Sequence, residues 1–113
     1  PKEIKFNYAY FEGAWKTNKD DSELVSNEGK IILPYSAKVV NIVAGSEEGS
    51  EIDVFVDNEP LNEENKGSDT DLNKPTEIND FKLYSLVDYE YGTHTIQINI
   101  RGKGFKVNTF TFG

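Results

Sequence analysis

The stretch FKLYSLVDYEYGTHTIQINIRGKGFKVNTFTFG, residues 81–113, decides the fold class of this chain. Ile96, Ile98 and Ile100 alternate in it with polar residues, which is the two-residue period of a β-strand with one face in a core. Gly102-Lys103-Gly104 then turns the chain, and residues 105–112 run back as another strand. The side chains expected to be largely buried are Ile96, Ile98, Ile100, Phe110 and Phe112. Because the chain stops on these aromatic residues, we expect Gly113 to end a folding unit.

Upstream of this stretch, short strands are separated by polar turns. Residues 39–44 are almost entirely apolar, which indicates a central strand, whereas Pro34 indicates an edge or a bulge. Residues 45–49 form a hairpin-like turn, after which residues 52–56 alternate strictly. No segment keeps a helical period for even three turns.

The last strand changes the face that it buries. Phe105 and Val107 share one face, whereas Phe110 and Phe112 occupy the other, so we expect a bulge or a strand that moves between sheets. The number and spacing of strands predict an all-β fold, an antiparallel β-sandwich of roughly eight strands, jelly-roll-like in character.

Composition limits the function. The 113 residues suit a single domain, Pro1–Gly113, and they contain no cysteine, which excludes a thiol nucleophile, a disulfide and a cysteine-ligated metal in this chain. No apolar run approaches the ~20 residues that span a membrane, so this segment should not insert into one.

The charge balance argues against anionic partners. There are 12 basic and 20 acidic residues, a formal net charge of −8, and the lysines are scattered along the chain. Nucleic acid binding needs a concentrated basic face, and anionic lipid attracts clustered basic residues, so both partners are disfavoured.

Six motifs in order resemble one known family. The chain from about Phe11 to its end is similar to the C-terminal β-sandwich that follows the thioredoxin domain in DipZ-type and related membrane-anchored thioredoxin-like proteins. The matching segments are Phe11-Glu12-Gly13-Ala14-Trp15, Tyr35-Ser36-Ala37-Lys38-Val39-Val40, Val54-Phe55-Val56-Asp57-Asn58, Leu83-Tyr84-Ser85-Leu86-Val87, His94-Thr95-Ile96 and Phe110-Thr111-Phe112-Gly113. Asn58 stands where the family has glycine, and asparagine also accepts a left-handed turn.

The resemblance implies a non-catalytic accessory domain with no cofactor. It implies that this chain is the C-terminal fragment of a longer chain, with residues 1–10 as a linker or entry segment after a preceding, covalently linked thioredoxin-like domain that carries the redox cysteines. The domain would position that redox domain or recruit client proteins to it. It also implies an extracytoplasmic location within a membrane-anchored or secreted parent protein.

A carbohydrate-binding module is the alternative. Such modules stack aromatic rings on the apolar face of a sugar. Phe55 is out of phase with its buried neighbours, and Tyr89 and Tyr91 are expected in a polar turn before Gly92. Trp15 is either a core plug or a binding platform. The candidate ligand-binding residues are Tyr89, Tyr91, Trp15 and Phe55, and further aromatic residues stand at Tyr8, Tyr10 and Phe11.

Two other features of the sequence are candidates for chemical sites. Residues 59–80 are acidic and lack a clear pattern, which favours a solvated or partner-facing loop. They offer weak calcium candidates at Asp69, Asp71, Asn73, Glu77 and Asp80. His94 is the only histidine and has no nucleophile motif, so we expect it to make a structural side-chain-to-backbone hydrogen bond and we predict no catalytic residue.

Overall fold

The computed structural model describes residues 9–113, and those residues form an all-β structure. Most of the expected linker, together with Tyr8, therefore lies outside the described residues. The strands are β1 (Tyr10–Glu12), β2 (Trp15–Thr17), β3 (Ser22–Leu24), β4 (Glu28–Gly45), β5 (Ser50–Val56), β6 (Glu59–Pro60), β7 (Thr76–Ile78), β8 (Lys82–Arg101) and β9 (Lys106–Phe112). The described strands number nine, close to the roughly eight expected. This part of the chain holds no helix that is long and apolar enough to cross a membrane.

Two long strands organise the sheet. β4 and β8 pair antiparallel along nearly their whole lengths. The first half of β4 also pairs with β1, and the second half of β8 pairs with β5, which gives one layer. The second half of β4 pairs with β9, which in turn pairs with β3, and this gives the other layer. The predicted all-β antiparallel fold is confirmed. The described strands form one continuous sheet, and β4 and β8 run through both of its layers.

Bulges allow both halves of β4 to face one core. Ile31 and Leu33 are buried at odd positions, whereas Ile42 and Ala44 are buried at even positions. The register of β4 against β8 shifts between Ala37/Val39 and between Val40/Asn41, where the change of parity occurs. Without these bulges, one half of the strand would turn its apolar side chains to solvent.

The bulge predicted in the last strand is confirmed. Val43 pairs with Thr109 and Ala44 pairs with Val107, so Asn108 is the extra residue of β9. Val107 before the bulge and Phe110 after it are both buried.

Two predicted connections are different in the structure. Residues 45–49 are not a hairpin turn, because β5 pairs with β8 and not with β4. Gly102 and Gly104 do turn the chain, with φ of 120° and 100°, but β9 pairs with β3 and β4 rather than back onto β8. The physical reason is that both edges of the second half of β4 are already taken by β8 and β9. The chain that leaves β4 must therefore cross to the other layer.

The core is one cluster drawn from both layers. All five side chains expected to be buried are buried, since Ile96, Ile98, Ile100, Phe110 and Phe112 have at most 7% of their surface exposed. Tyr35 of the first layer stacks on Phe112 of the second, with ring centroids 5.9 Å apart. Pro34 is exposed and pairs with Thr95 of β8. On the other side of β4, the pairing with β1 ends at Ile32, so no described strand there needs the backbone N–H that proline lacks.

Truncation of Phe112 tests this packing. Phe112→Ala removes the ring that stacks on Tyr35, and we expect it to lower the free energy of unfolding by about 3–5 kcal/mol. Urea unfolding measures this difference. The matched control is Phe81→Ala, because 51% of Phe81 is exposed, and it should change the free energy by about 0.5 kcal/mol or less. Equal effects of the two variants would contradict the core described here.

Candidate functional site

The first layer presents a polar and aromatic surface to solvent. In the strands β1, β4, β8 and β5, the side chains that alternate with the core residues point outward and align by register. We call this surface the outer face. Its first row is Tyr10, Ile32, Gln97 and Phe55, and its second row is Glu12, Lys30, Asn99 and Asp53.

Hydrogen bonds organise the centre of the outer face. The Gln97 side chain donates to Asn99 Oδ1 at 3.0 Å, which shows that the two amides lie side by side on β8. Apart from this contact, each amide has further donor and acceptor capacity. Gln97 lies between Ile32 and Phe55, and Asn99 lies between Lys30 and Asp53, so the two amides are flanked by one aromatic side chain and by charged groups.

The cations of the outer face are paired with carboxylates. Arg101 Nη1 donates to Asp53 at 2.7 Å, and its Nη2 lies 3.5 Å from Glu51. Lys30 lies 4.0 Å from Glu12. These partly exposed pairs add little stability, but they leave the surface without a strong field of either sign.

A notch interrupts the edge of the sheet next to Phe55. The register of β5 with β6 stops at Phe55 and Pro60, and its register with β7 starts at Ile52 and Thr76. Between these strands lies a cavity of about 270 Å³, which we call the notch. Asp53 and Phe55 line both the notch and the outer face, and the segment 70–75 forms the opposite wall.

The acidic stretch is more ordered than its composition indicated. It contributes β6 and β7, and Ile78 of β7 is fully buried. Gly67 N donates to Leu86 O, and Asp69 Oδ2 accepts a hydrogen bond from Ser85 N at 2.7 Å, so the loop is held against β8. Its outer turn, which walls the notch, is held by Asp71 Oδ1, which accepts from Asn73 N at 2.8 Å.

The calcium candidates do not form one cluster. Asp69 and Asp71 are used in the hydrogen bonds just described, Glu77 lies on β7, and the backbone carbonyl of Asp80 accepts from the Tyr84 hydroxyl. Within residues 9–113 no group of three or more His, Cys, Asp or Glu side chains could hold a metal ion.

The tyrosine candidates lie in a strand rather than in a turn. Tyr89 and Tyr91 belong to β8 and are 39% and 73% exposed. They occupy a wide bulge, because Asp88 pairs with Val39 and Gly92 pairs with Ala37, which leaves three residues of β8 opposite one of β4. The expected turn is wrong because β8 continues through the bend between the layers. Along β8, both tyrosines lie far from Gln97, which is the β8 residue of the first row of the outer face.

Trp15 is packed against the core. Its ring meets Phe11 and Phe105 edge-on, with centroids 5.0 and 6.3 Å away, and its Nε1 donates to the carbonyl of Glu12. Trp15 and Phe55 are both half-buried, but of the two only Phe55 lines the notch as well as the outer face.

His94 and Asp57 form a clamp between β8 and the turn after β5. Asp57 and Asn58 have φ of 53° and 69°, the left-handed conformation expected for a two-residue hairpin turn, and this explains why Asn can replace Gly. His94 Nδ1 donates to Asp57 Oδ2 at 2.6 Å, and Thr95 N donates to Oδ1 at 2.9 Å. The hydrogen bond expected for His94 is therefore made, but to a carboxylate and not to the backbone.

The surroundings of the clamp favour a structural role. Nε2 of His94 faces Gly92, where a Cβ would lie only 2.8 Å from it. The Tyr35 ring lies 5.9 Å from His94, and burial, together with the charge of Asp57, raises the pKa of Tyr35 to about 12. Tyr35 therefore stays protonated at neutral pH and cannot act as a base there.

The chain matches one family model along its whole length. The model is described as the thioredoxin like C-terminal domain and covers residues 1–113. The chain belongs to this family. The resemblance drawn from the six motifs is thereby confirmed at the level of the family. No curated protein matches the domain significantly.

Two solved carbohydrate esterases of family two share its fold. One, from Clostridium thermocellum in complex with cellohexaose, has a TM-score of 0.74 at 15% identity, covering 93% of this chain and 31% of that chain. The other, from Cellvibrio japonicus, has a TM-score of 0.71 at 18% identity, covering 93% and 30%. At such identities the likeness shows the fold alone, and the domain spans about a third of the length of either esterase chain.

The polar members of the outer face were missed from the sequence. In the sequence, Gln97 and Asn99 are simply the polar residues that alternate with buried isoleucines of β8. Asp53 is likewise the polar residue between two buried residues of β5. The alternation gives the direction of each side chain but not the register that places strands side by side. The hydrogen-bond pairing of β4, β5 and β8 was needed to bring these residues together.

Acid should weaken the clamp. The bond from His94, followed by the bond from Thr95 N, holds the pKa of Asp57 below its ordinary value. The clamp's contribution is thus fully present above the unfolded pKa of about 3.9 and is lost as the pH falls through the lower folded pKa. Wild type should exceed Asp57→Asn in free energy of unfolding above about pH 5, and this margin should shrink below about pH 4.

Urea unfolding over that pH range measures the margin. His94→Gln serves as the matched variant, because it removes the larger cause of the shift and retains the bond from Thr95 N. When the Asp57→Asn change is made in the His94→Gln background, the difference in free energy of unfolding should depend less on pH than it does in wild type, but it should still depend on pH. A margin that is the same at every pH would show that Asp57 is not held by these bonds.

Proposed function

We propose that this domain is a non-catalytic accessory domain of a thioredoxin-like thiol-disulfide oxidoreductase, to which it is covalently linked. The observation that carries the proposal is membership of the thioredoxin-like C-terminal family by a chain of 113 residues with no cysteine. Thiol-disulfide exchange requires a thiolate, so the reacting thiols must lie in another domain. The resemblance to DipZ-type proteins supports placing the parent protein in a membrane-anchored or secreted, extracytoplasmic setting.

The role of such a domain is to position the redox domain or to recruit clients. The long β4–β8 pair makes it a stiff support, and the outer face offers a surface that is not consumed by its own packing. Its net charge of −8 favours neutral or basic clients and disfavours DNA and other acidic polymers.

The isolated domain should have neither thiol-disulfide reductase activity nor esterase activity. We expect no reduction of insulin, because no thiol is present, and no turnover of ester substrates, because the clamp offers no nucleophile to His94. Turbidity and chromogenic assays with pure protein check both. Insulin reduction above background, or ester hydrolysis that His94→Gln abolishes, would overturn the non-catalytic proposal.

Removal of the domain from its parent protein tests the accessory role. A small disulfide reaches the redox cysteines by diffusion, so its rate of reduction should be unchanged without the domain. Reduction of protein clients should slow, because recruitment is lost. Equal loss with both substrates would point to a damaged redox domain, and no loss with any protein client would contradict the accessory role.

Saccharide binding is a second proposed function, supported by the outer face. Tyr10 and Phe55 stand in one row three strand spacings apart, about 14 Å by ordinary sheet geometry, with Gln97 between them. Rings for stacking and amides for hydroxyl groups are the usual combination in sugar sites. One fold relative was solved with cellohexaose, which makes neutral β-linked oligosaccharides suitable probes.

A further inference from the structure

We infer that the notch beside β5 is the principal subsite for a neutral oligosaccharide and takes one end of it. This inference rests on the second proposed function, saccharide binding, and names the place where that binding is centred. It moves the site from the tyrosines of β8 to Phe55 and the segment 70–75.

The backbone of β5 provides the first argument. Asp57 N donates to Thr95 O of β8, so alternation aims the backbone groups of Val56 and Val54 at the opposite edge of β5. Within the described residues, Asp53 and Val54 have no registered strand partner at that edge, since β6 and β7 stop short of them on either side. Because Pro60 has no N–H, its pairing with Phe55 places the N–H of Leu61 opposite the Val54 carbonyl. The Val54 N–H is therefore the group left facing the notch, where it can donate a hydrogen bond to a hydroxyl group.

The size of the notch selects the kind of ligand. A gap of two residues is too short for an added peptide strand, which needs several consecutive backbone partners. The cavity of about 270 Å³ is slightly below the ordinary range for ligand pockets and accommodates roughly one or two sugar rings. A compact ligand with several hydroxyl groups meets both conditions.

The lining of the notch combines the two surfaces that a sugar ring needs. Phe55 and Leu72 supply apolar area, and Leu72 is 38% exposed although it is a large aliphatic residue. Asn73 and Lys74 supply donors beside them. Phe55 also belongs to the first row of the outer face, so a chain that starts in the notch can continue across Gln97 towards Tyr10.

Charge supports a neutral occupant. Asp53 is the acidic residue shared by the notch and the outer face, and its carboxylate already accepts from Arg101 at 2.7 Å. The Asp71 carboxylate accepts from Asn73 N. Asp53 is paired with Arg101, and Lys74 in the lining is opposite in charge to Asp71, so the notch has no large net charge and a neutral sugar is favoured over an ionic ligand.

Titration of neutral hexasaccharides into the isotopically labelled domain tests the inference. The probes are β-linked hexamers of glucose, xylose, mannose and N-acetylglucosamine, followed by nuclear magnetic resonance. A bound probe should shift the amide resonance of Val54 and the ring resonances of Phe55. Phe55→Ala should weaken binding about tenfold or more, and Phe55→Tyr should restore it.

Asn73→Ala is a second variant that preserves the fold, because the turn uses the backbone N–H of Asn73 and not its side chain. It should weaken binding, whereas the control Tyr91→Ala should leave binding unchanged. Binding that depends on Tyr89 or Tyr91 and not on Phe55 or Asn73 would overturn the notch as the subsite while leaving saccharide binding in place. If none of the hexamers binds the wild-type domain, both the second proposed function and this inference are wrong.

Discussion

The pairing of β4 with β8 across both layers is the constraint on which the rest of the structure depends. Because these strands take part in each layer, they must bend and still bury the same core, and the buried positions of β4 change from odd to even across its bend while those of β8 stay even. The two register shifts opposite residues 37–41 of β4, where residues 89–91 and Leu86 are the additional residues of β8, meet that need. The C-terminal residue stabilises the same bend, since the carbonyl of Gly113 accepts from Lys38 N and Val39 N.

This constraint also explains which parts of the fold the sequence could predict. The alternation of Ile96, Ile98 and Ile100 and the parity change around Asn108 are local patterns, and both led to correct predictions. The connections at residues 45–49 and 102–104 looked like hairpins because short polar turns usually join neighbouring strands. Whether a turn closes a hairpin or crosses between layers depends on which strand edges are already occupied, and that is a property of the whole sheet.

Some features of the candidate site could also be predicted from the sequence, whereas others could not. Phe55 could be placed on the outside from its phase, and the left-handed turn at Asn58 could be anticipated from its residue type. The outer face could not, because its rows join residues from four strands that lie far apart in the chain. The notch is a non-local feature as well, since it exists only because β6 and β7 leave part of one edge of β5 uncovered.

The clamp formed by His94 and Asp57 connects β8 to the turn that borders the notch. The turn after β5 positions Phe55 and leads into β6, and Asp57 in that turn is tied to β8 by two hydrogen bonds. Movement of the turn would change the distance between Phe55 and the segment 70–75 that faces it. That segment continues from the loop held to β8 by Asp69, so both walls of the notch are fixed to the same strand. A ligand that enters the notch therefore meets a largely preformed site, and little of its binding energy is spent on ordering the protein.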